Sequence, residues 1–271
     1  MFRLSKHCFL LYNTLQKGSV KMENRYASRI EKVQMSSIRV VMEKVEKLRS
    51  QGKSVVSLCA GEPDFNTPEG IKKATIEALN DNQTHYSSNR GYLGLRKKVA
   101  HLLKEQTTID YDSDTEIIMT CGCSEAINNV CQAFINKDDE VIIFTPAFVS
   151  YQNTVLLCQG IPVEIPLKLS LGFQIDIEEV KNKITKKTKM IILNNPNNPT
   201  GAVYQKETLE QLCKLARENN ILILADEIYN QLDYENQYVS IASFENMKDY
   251  TIIVNGFSKA YAMTGWRMGY I

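Results

Sequence analysis

Short runs, wholly or almost wholly apolar, recur along the chain, separated by longer stretches whose apolar residues return every three or four positions. Val141–Phe144, Met190–Leu193, Ile221–Ala225 and Thr251–Val254 are of the first kind. Their length and lack of alternation predict strands buried on both faces. Val55–Leu58, Ile117–Met119 and Ile161–Ile165 predict three more strands. The second kind begins at Ile38–Leu48, where Ile38, Val41, Val45 and Leu48 share one helical face before Gln51-Gly52 ends it. A helix is expected to about Leu79, with Thr67 as its N-cap and Pro68 at its first position. Others follow from Leu93 (Leu95, Val99, Leu102, Leu103), from Glu125 (Ala126, Ile127, Val130, Phe134) and over Glu207–Asn219 (Leu209, Leu212, Leu215, Ala216). Strands and helices in alternation predict an α/β fold, a mostly parallel sheet flanked by helices on both faces.

The ends of the predicted strands carry the chemistry. Open α/β sheets bind ligands at the carboxyl edge. After Ile117–Met119 comes a small-residue loop, Cys121-Gly122-Cys123-Ser124, running into a helix N-terminus. Free backbone N–H groups and the helix dipole there suit a phosphate, and Ser124 adds a hydroxyl; an ordinary βα turn would read the same. Phe148 and Tyr151 lie beyond the next strand and either pack in the core or cover a flat ring. Asn194-Asn195-Pro196-Asn197-Asn198-Pro199-Thr200-Gly201 demands a rigid turn and fixes amide side chains. Asp226 and Glu227 close an apolar strand, where a carboxylate needs a partner. Lys259 follows the turn at Asn255-Gly256 and can form a Schiff base with a carbonyl. Each has an innocuous reading, but their gathering on one edge favours a single site. An anion cradle, a stacking aromatic, an amide, a buried carboxylate and a lysine together suit pyridoxal phosphate.

Composition narrows the classes. An apolar share of 44% is that of a globular chain, and a net charge of +1 gives no reason to expect nucleic acid or an acidic membrane as partner. No run approaches a membrane span. The seven cysteines are scattered with no CxxC pair, which favours a reducing compartment and gives no metal motif. Residues 1–22 hold Arg3, Lys6, Lys17 and Lys21 without an acidic residue. A dispensable leader in a cytoplasmic protein is expected, with a mitochondrial presequence as the alternative.

At this point the sequence resembles the class I/II aminotransferases, fold-type I pyridoxal-phosphate enzymes, in the branch of prokaryotic-type aspartate aminotransferases. The resemblance runs from about Val33 to the end. It is carried by AGEPDF (60–65), Tyr86 with Gly91…Leu95-Arg96, GCSEA (122–126), NNPNNPTG (194–201), DEIY (226–229) and SKAYAMTGWRMGY (258–270). It implies that Lys259 is the Schiff-base lysine and proton carrier, and that Asp226 partners the pyridine nitrogen. Asn198 and Tyr229 would bind the ring's 3′-oxygen, and Phe148 would stack on the ring. Gly122, Cys123, Ser124 and Arg267 would hold the phosphate. Tyr86 would reach the neighbouring subunit of a homodimer, and the Gly61 amide would meet the substrate's α-carboxylate.

The resemblance further implies transamination between an amino acid, aspartate by branch, and a 2-oxo acid. A pyridoxal-phosphate lyase, or a non-catalytic homologue that binds the cofactor or a full-length partner, is the alternative. The implied organisation is a leader and arm over 1–32, a substrate-side segment over 33–80, and the cofactor-binding large domain over 81–271. The family's C-terminal small domain, with its carboxylate-clamping arginine, would then be missing.

Overall fold

The structure is a computed structural model that describes residues 27–33, 37–59 and 61–271, with backbone only at 37–39. The basic leader lies outside the described residues. The chain divides into two compact units, Met1–Val33 and Gln34–Ile271. In the first, Ser28–Lys32 forms a 3-10 turn.

The second unit is a seven-stranded sheet with helices along it. In chain order its elements are α1 (Ser37–Ser50), α2 (Glu69–Asn80), α3 (Leu93–Thr107), β1 (Met119–Thr120), α4 (Cys123–Phe134), β2 (Glu140–Thr145) and α5 (Ser150–Leu157). Then come β3 (Ile161–Pro166), α6 (Ile177–Lys183), β4 (Thr188–Asn194), α7 (Lys206–Glu218), β5 (Leu222–Asp226), β6 (Thr251–Gly256) and β7 (Gly269–Tyr270). The sheet order is β1-β7-β6-β5-β4-β2-β3. The run from β3 to β6 is parallel, and β7 lies antiparallel to both β6 and β1. The expected parallel sheet is therefore present, with one reversed strand near an edge.

The two faces of the sheet are built by alternate residues of the apolar runs. Val141, Ile143, Met190, Ile192 and Leu224 pack with Ala126, Ile127 and Val130 of α4 and with Val155 of α5. Ile142, Phe144, Ile191, Leu193, Ile223 and Ala225 face the other way, onto Leu209, Leu212, Cys213 and Ala216 of α7. Period two thus appears in the packing although the sequence runs are uniformly apolar. A third cluster joins Val99 and Leu103 of α3 to Ile117, Ile253 and Tyr270.

Several expectations need correction. Val55–Leu58 forms no strand: Val56 and Leu58 are 86% and 93% exposed. A strand needs a ladder partner for its N–H and C=O groups, and none of the described residues offers one. The strand expected at Ile117–Met119 lies at Met119–Thr120, with Ile117 buried ahead of it. The helix expected from Glu125 starts at Cys123, and its inner face ends in Cys131 while Phe134 is exposed. Thr67 does not cap α2. The N-cap is Pro68, with no side-chain cap bond, because the Thr67 hydroxyl is bonded far along the chain, to the carbonyl of Ala262 at 2.6 Å.

Candidate functional site

Asp226 is the fixed point of the carboxyl edge. It ends β5, in register with Asn194 of β4 and Val254 of β6, so it is flanked by strands on both sides. Only 3% of it is exposed. One carboxylate oxygen accepts from the Tyr151 hydroxyl at 2.7 Å, the other from the Ile228 amide at 3.3 Å. Burial pushes its acid up to about 6, although both hydrogen bonds pull it down. The Tyr151 hydroxyl in turn titrates well above the ordinary tyrosine value, because it is buried beside that carboxylate. No described cation pairs with Asp226, so a ligand nitrogen carrying a proton would meet an unmet need here.

Glu227 follows at once but belongs to the opposite face. Its carboxylate accepts from the Ser240 hydroxyl at 2.7 Å, and burial pushes its acid up to about 7. The two neighbouring carboxyls therefore sit in separate environments, each with its own hydroxyl donor.

The loop after β4 brings an amide and a phenol together. The Asn194 side chain bonds the Asp226 carbonyl (2.9 Å) and the Asn198 amide (2.7 Å), locking the turn onto β5. Asn198 then donates to the Tyr229 hydroxyl at 3.0 Å. Burial, and then the Asp226 charge, push the Tyr229 phenol up to about 12. Phe148 packs edge-on to Tyr151 at 5.7 Å between centroids, on the same face as Asp226.

The phosphate-like cradle is the N-terminus of α4. Gly122 is its N-cap at φ +77°, a left-handed conformation that glycine adopts at no steric cost. The amides of Cys123 and Ser124 precede the first bond of the helix, from the Glu125 amide to the Gly122 carbonyl at 3.1 Å. The Arg267 guanidinium lies so close over Gly122 that a Cβ there would overlap its Nη2. Two further glycines complete the close approach. A Cβ on Gly269 would sit 2.7 Å from the Gly122 carbonyl carbon and 2.8 Å from the Cys123 nitrogen, and one on Gly256 would sit 2.7 Å from the Met268 carbonyl oxygen. The Cys123 thiol is half-buried, and its acid form is favoured by desolvation and the Asp226 charge, so it packs rather than reacts.

The Gly269→Ala variant is expected to lose about 2 kcal/mol of stability, as an overpacking change against backbone that cannot step aside. A lowered urea midpoint at unchanged slope would register it.

Lys259 stands beside this array. Its Nζ lies 5.7 Å from the centre of the Tyr229 ring and donates to the Gly61 carbonyl. Burial lowers its ammonium below the ordinary lysine value, partly offset by the Glu62 charge. Gly61 thus presents its carbonyl to the lysine. A cleft of about 650 Å³ opens alongside, between Glu62–Thr67 and Ala262–Trp266.

Of the residues singled out in the sequence, Gly122, Cys123, Ser124, Phe148, Asn198, Asp226, Tyr229, Lys259 and Arg267 are all carried by segments at this edge. Gly61 reaches it through its carbonyl. Tyr86 does not join them: it is fully exposed, in the loop before α3. Sequence reasoning missed Tyr151 as the partner of Asp226, and Gly269 as the residue that lets β7 lie against the cradle. A signal existed for the first, a tyrosine three residues after Phe148 at a strand end.

The family model for aminotransferase class I and II matches residues 53–271. A probable aspartate/prephenate aminotransferase of Aquifex aeolicus is 39% identical over 252 residues, 92% of this chain and 64% of that protein. Aromatic-amino-acid aminotransferase 2 of Thermococcus litoralis is 42% identical over 246 residues, 90% of this chain and 62% of that one. Among solved structures, an aspartate aminotransferase from Thermus thermophilus with maleate superposes with a TM-score of 0.87 at 40% identity, over 90% of this chain and 63% of that one. The chain spans less than two thirds of the length of each.

Proposed function

The chain belongs to aminotransferase class I and II, and from that premise we propose that it is the cofactor-binding part of a pyridoxal-phosphate transaminase. The reaction moves an amino group between an amino acid and a 2-oxo acid. The observation that carries the reading is the buried, cation-free Asp226 carboxylate on the same edge as the Gly122–Arg267 cradle and Lys259.

The donor set fits the cofactor group by group. The α4 N-terminus and Arg267 suit a phosphate. Asn198 and Tyr229 offer N–H and O–H groups to a ring oxygen. Phe148 offers a ring face or edge on the Asp226 side. When bound, pyridoxal phosphate supplies a carbonyl for the amine and a ring that takes up electron density from the substrate's Cα.

The chain's own residues do the rest. Asp226 keeps the proton on the ring nitrogen, and its burial strengthens that attraction. Lys259, with its ammonium already lowered by burial, would carry a proton from the substrate's Cα to the carbon that was the cofactor's carbonyl. Tyr229 and Asn198 would hold the cofactor's ring oxygen and so fix the orientation of the ring. The Gly61 backbone faces the substrate side.

Aspartate is the proposed donor, in keeping with the names of several relatives, and an aromatic amino acid is the competing one. A second copy of the chain is the proposed partner, with Tyr86 crossing to its site; full exposure of that ring supports this. A cytoplasmic location is proposed, supported by six described cysteines that are all free thiols. Among the described residues no helix is long and apolar enough to cross a membrane.

The test is product analysis after loading with pyridoxal phosphate. Oxaloacetate formed from aspartate in step with pyridoxamine phosphate supports the reading. Ammonia release in its place means a lyase, and neither product from aspartate or from an aromatic amino acid means a non-catalytic homologue.

A further inference from the structure

Thr67 looks from the sequence like a helix cap, and the structure uses it elsewhere. Its one hydroxyl is engaged twice: it donates to the Ala262 carbonyl at 2.6 Å and accepts from the Trp266 indole N–H at 3.1 Å. Both partners lie about two hundred residues on, in the loop between β6 and β7 that carries Lys259 and Arg267. That loop is bent at two non-glycine residues with left-handed backbone, Ala262 at φ +51° and Arg267 at φ +57°. Such conformations persist where surrounding contacts hold them. Thr67 grips the carbonyl of the first and the side chain directly before the second.

The rest of the 61–67 segment follows the same loop. The Thr264 hydroxyl donates to the Glu62 carboxylate, and the Lys259 ammonium donates to the Gly61 carbonyl. The segment has no regular structure of its own. Its place over the loop therefore rests on these bonds, of which only those of Thr67 reach both bends.

We infer that Thr67 is a positioning residue: its hydroxyl clamps the Ala262 carbonyl and the Trp266 side chain, at the two bends of the β6–β7 loop, and so fixes where Lys259 and Arg267 stand relative to the cradle on α4. The clamp itself rests on geometry alone, and its consequence for cofactor binding rests on the function proposed above. One hydroxyl serving as donor and acceptor at once is a demand that valine cannot meet and serine can.

Trp266 is the only tryptophan in the chain, so its fluorescence reports on this clamp with no cofactor present. The experiment compares Thr67→Val, which keeps the shape, with Thr67→Ser, which keeps the hydroxyl. Both are checked for an unchanged far-ultraviolet circular dichroism spectrum. In the cofactor-free chain, Thr67→Val is expected to shift Trp266 emission to the red and raise acrylamide quenching about twofold, while Thr67→Ser matches the parent. With pyridoxal phosphate as the probe, Thr67→Val is expected to weaken affinity about tenfold, and Thr67→Ser to restore it.

Unchanged quenching in Thr67→Val overturns the clamp. Changed quenching with unchanged affinity overturns the positioning role. Failure of the parent chain itself to bind pyridoxal phosphate overturns the functional reading instead, and the quenching comparison still decides the clamp.

Discussion

Replacing Lys259 with alanine is expected to slow amino transfer by about a thousandfold and to end covalent trapping of pyridoxal phosphate. The magnitude is that of a general acid–base group taken away from the reacting proton. Among the described residues Lys259 has no stand-in at this edge: the nearby cationic side chain, Arg267, lies over Gly122. Removing Lys259 also frees the Gly61 carbonyl, which is exposed and can turn to water, so the cofactor-free fold should lose little. Single-turnover assays with aspartate, alongside the thermal midpoint of each cofactor-free chain, measure both effects. A slowing of less than tenfold would remove Lys259 from the proton transfer.

Asp226→Asn is expected to act in opposite directions on the two forms of the protein. In the loaded form it removes the carboxylate that would hold a proton on the ring nitrogen, and amino transfer should fall by about a hundredfold or more. In the cofactor-free form it removes a buried charge. The Asp226 acid rises from 3.8 to about 6 on folding. A carboxyl raised in the folded state binds more protons folded than unfolded between those values. Its contribution is therefore fully present below pH 3.8, and is lost as pH climbs to about 6. The loss is at most about 3 kcal/mol, since each tenfold change in proton affinity is worth about 1.4 kcal/mol. The variant should flatten this part of the stability–pH curve. The decline from 4.5 to about 7 caused by Glu227 should remain, and Glu227→Gln should remove that part. Urea titrations from pH 4 to 8 separate the two carboxyls.

Much of this was legible because the apolar runs are long and their breaks abrupt. Met190–Leu193 and Ile221–Ala225 could be little else than buried strands, and the residues directly after them could be little else than edge residues. What stayed hidden was tertiary. Val55–Leu58 has strand composition, but a strand requires a partner, and among the described residues none lies beside it. Thr67 before Pro68 has the local pattern of a cap, yet its hydroxyl bonds Ala262 and Trp266, a choice fixed only when distant segments meet. Tyr151 reads as core or as a cover for a flat ring, and neither reading foresees its hydroxyl 2.7 Å from the Asp226 carboxylate. Gly269 sits inside the SKAYAMTGWRMGY motif, but its reason, the backbone of Gly122 and Cys123 pressed against it, is a contact between distant parts of the chain.

The most direct test of the site is chemical trapping. The 271-residue chain is incubated with pyridoxal phosphate, reduced with borohydride, digested and mapped by mass spectrometry, with Lys259→Ala in parallel. One adduct per chain, on the peptide carrying Lys259 and absent from the variant, is the expected result. Low labelling scattered over surface lysines and unchanged in the variant would contradict it, because the cradle, Asp226 and Lys259 would then not act together as one cofactor site.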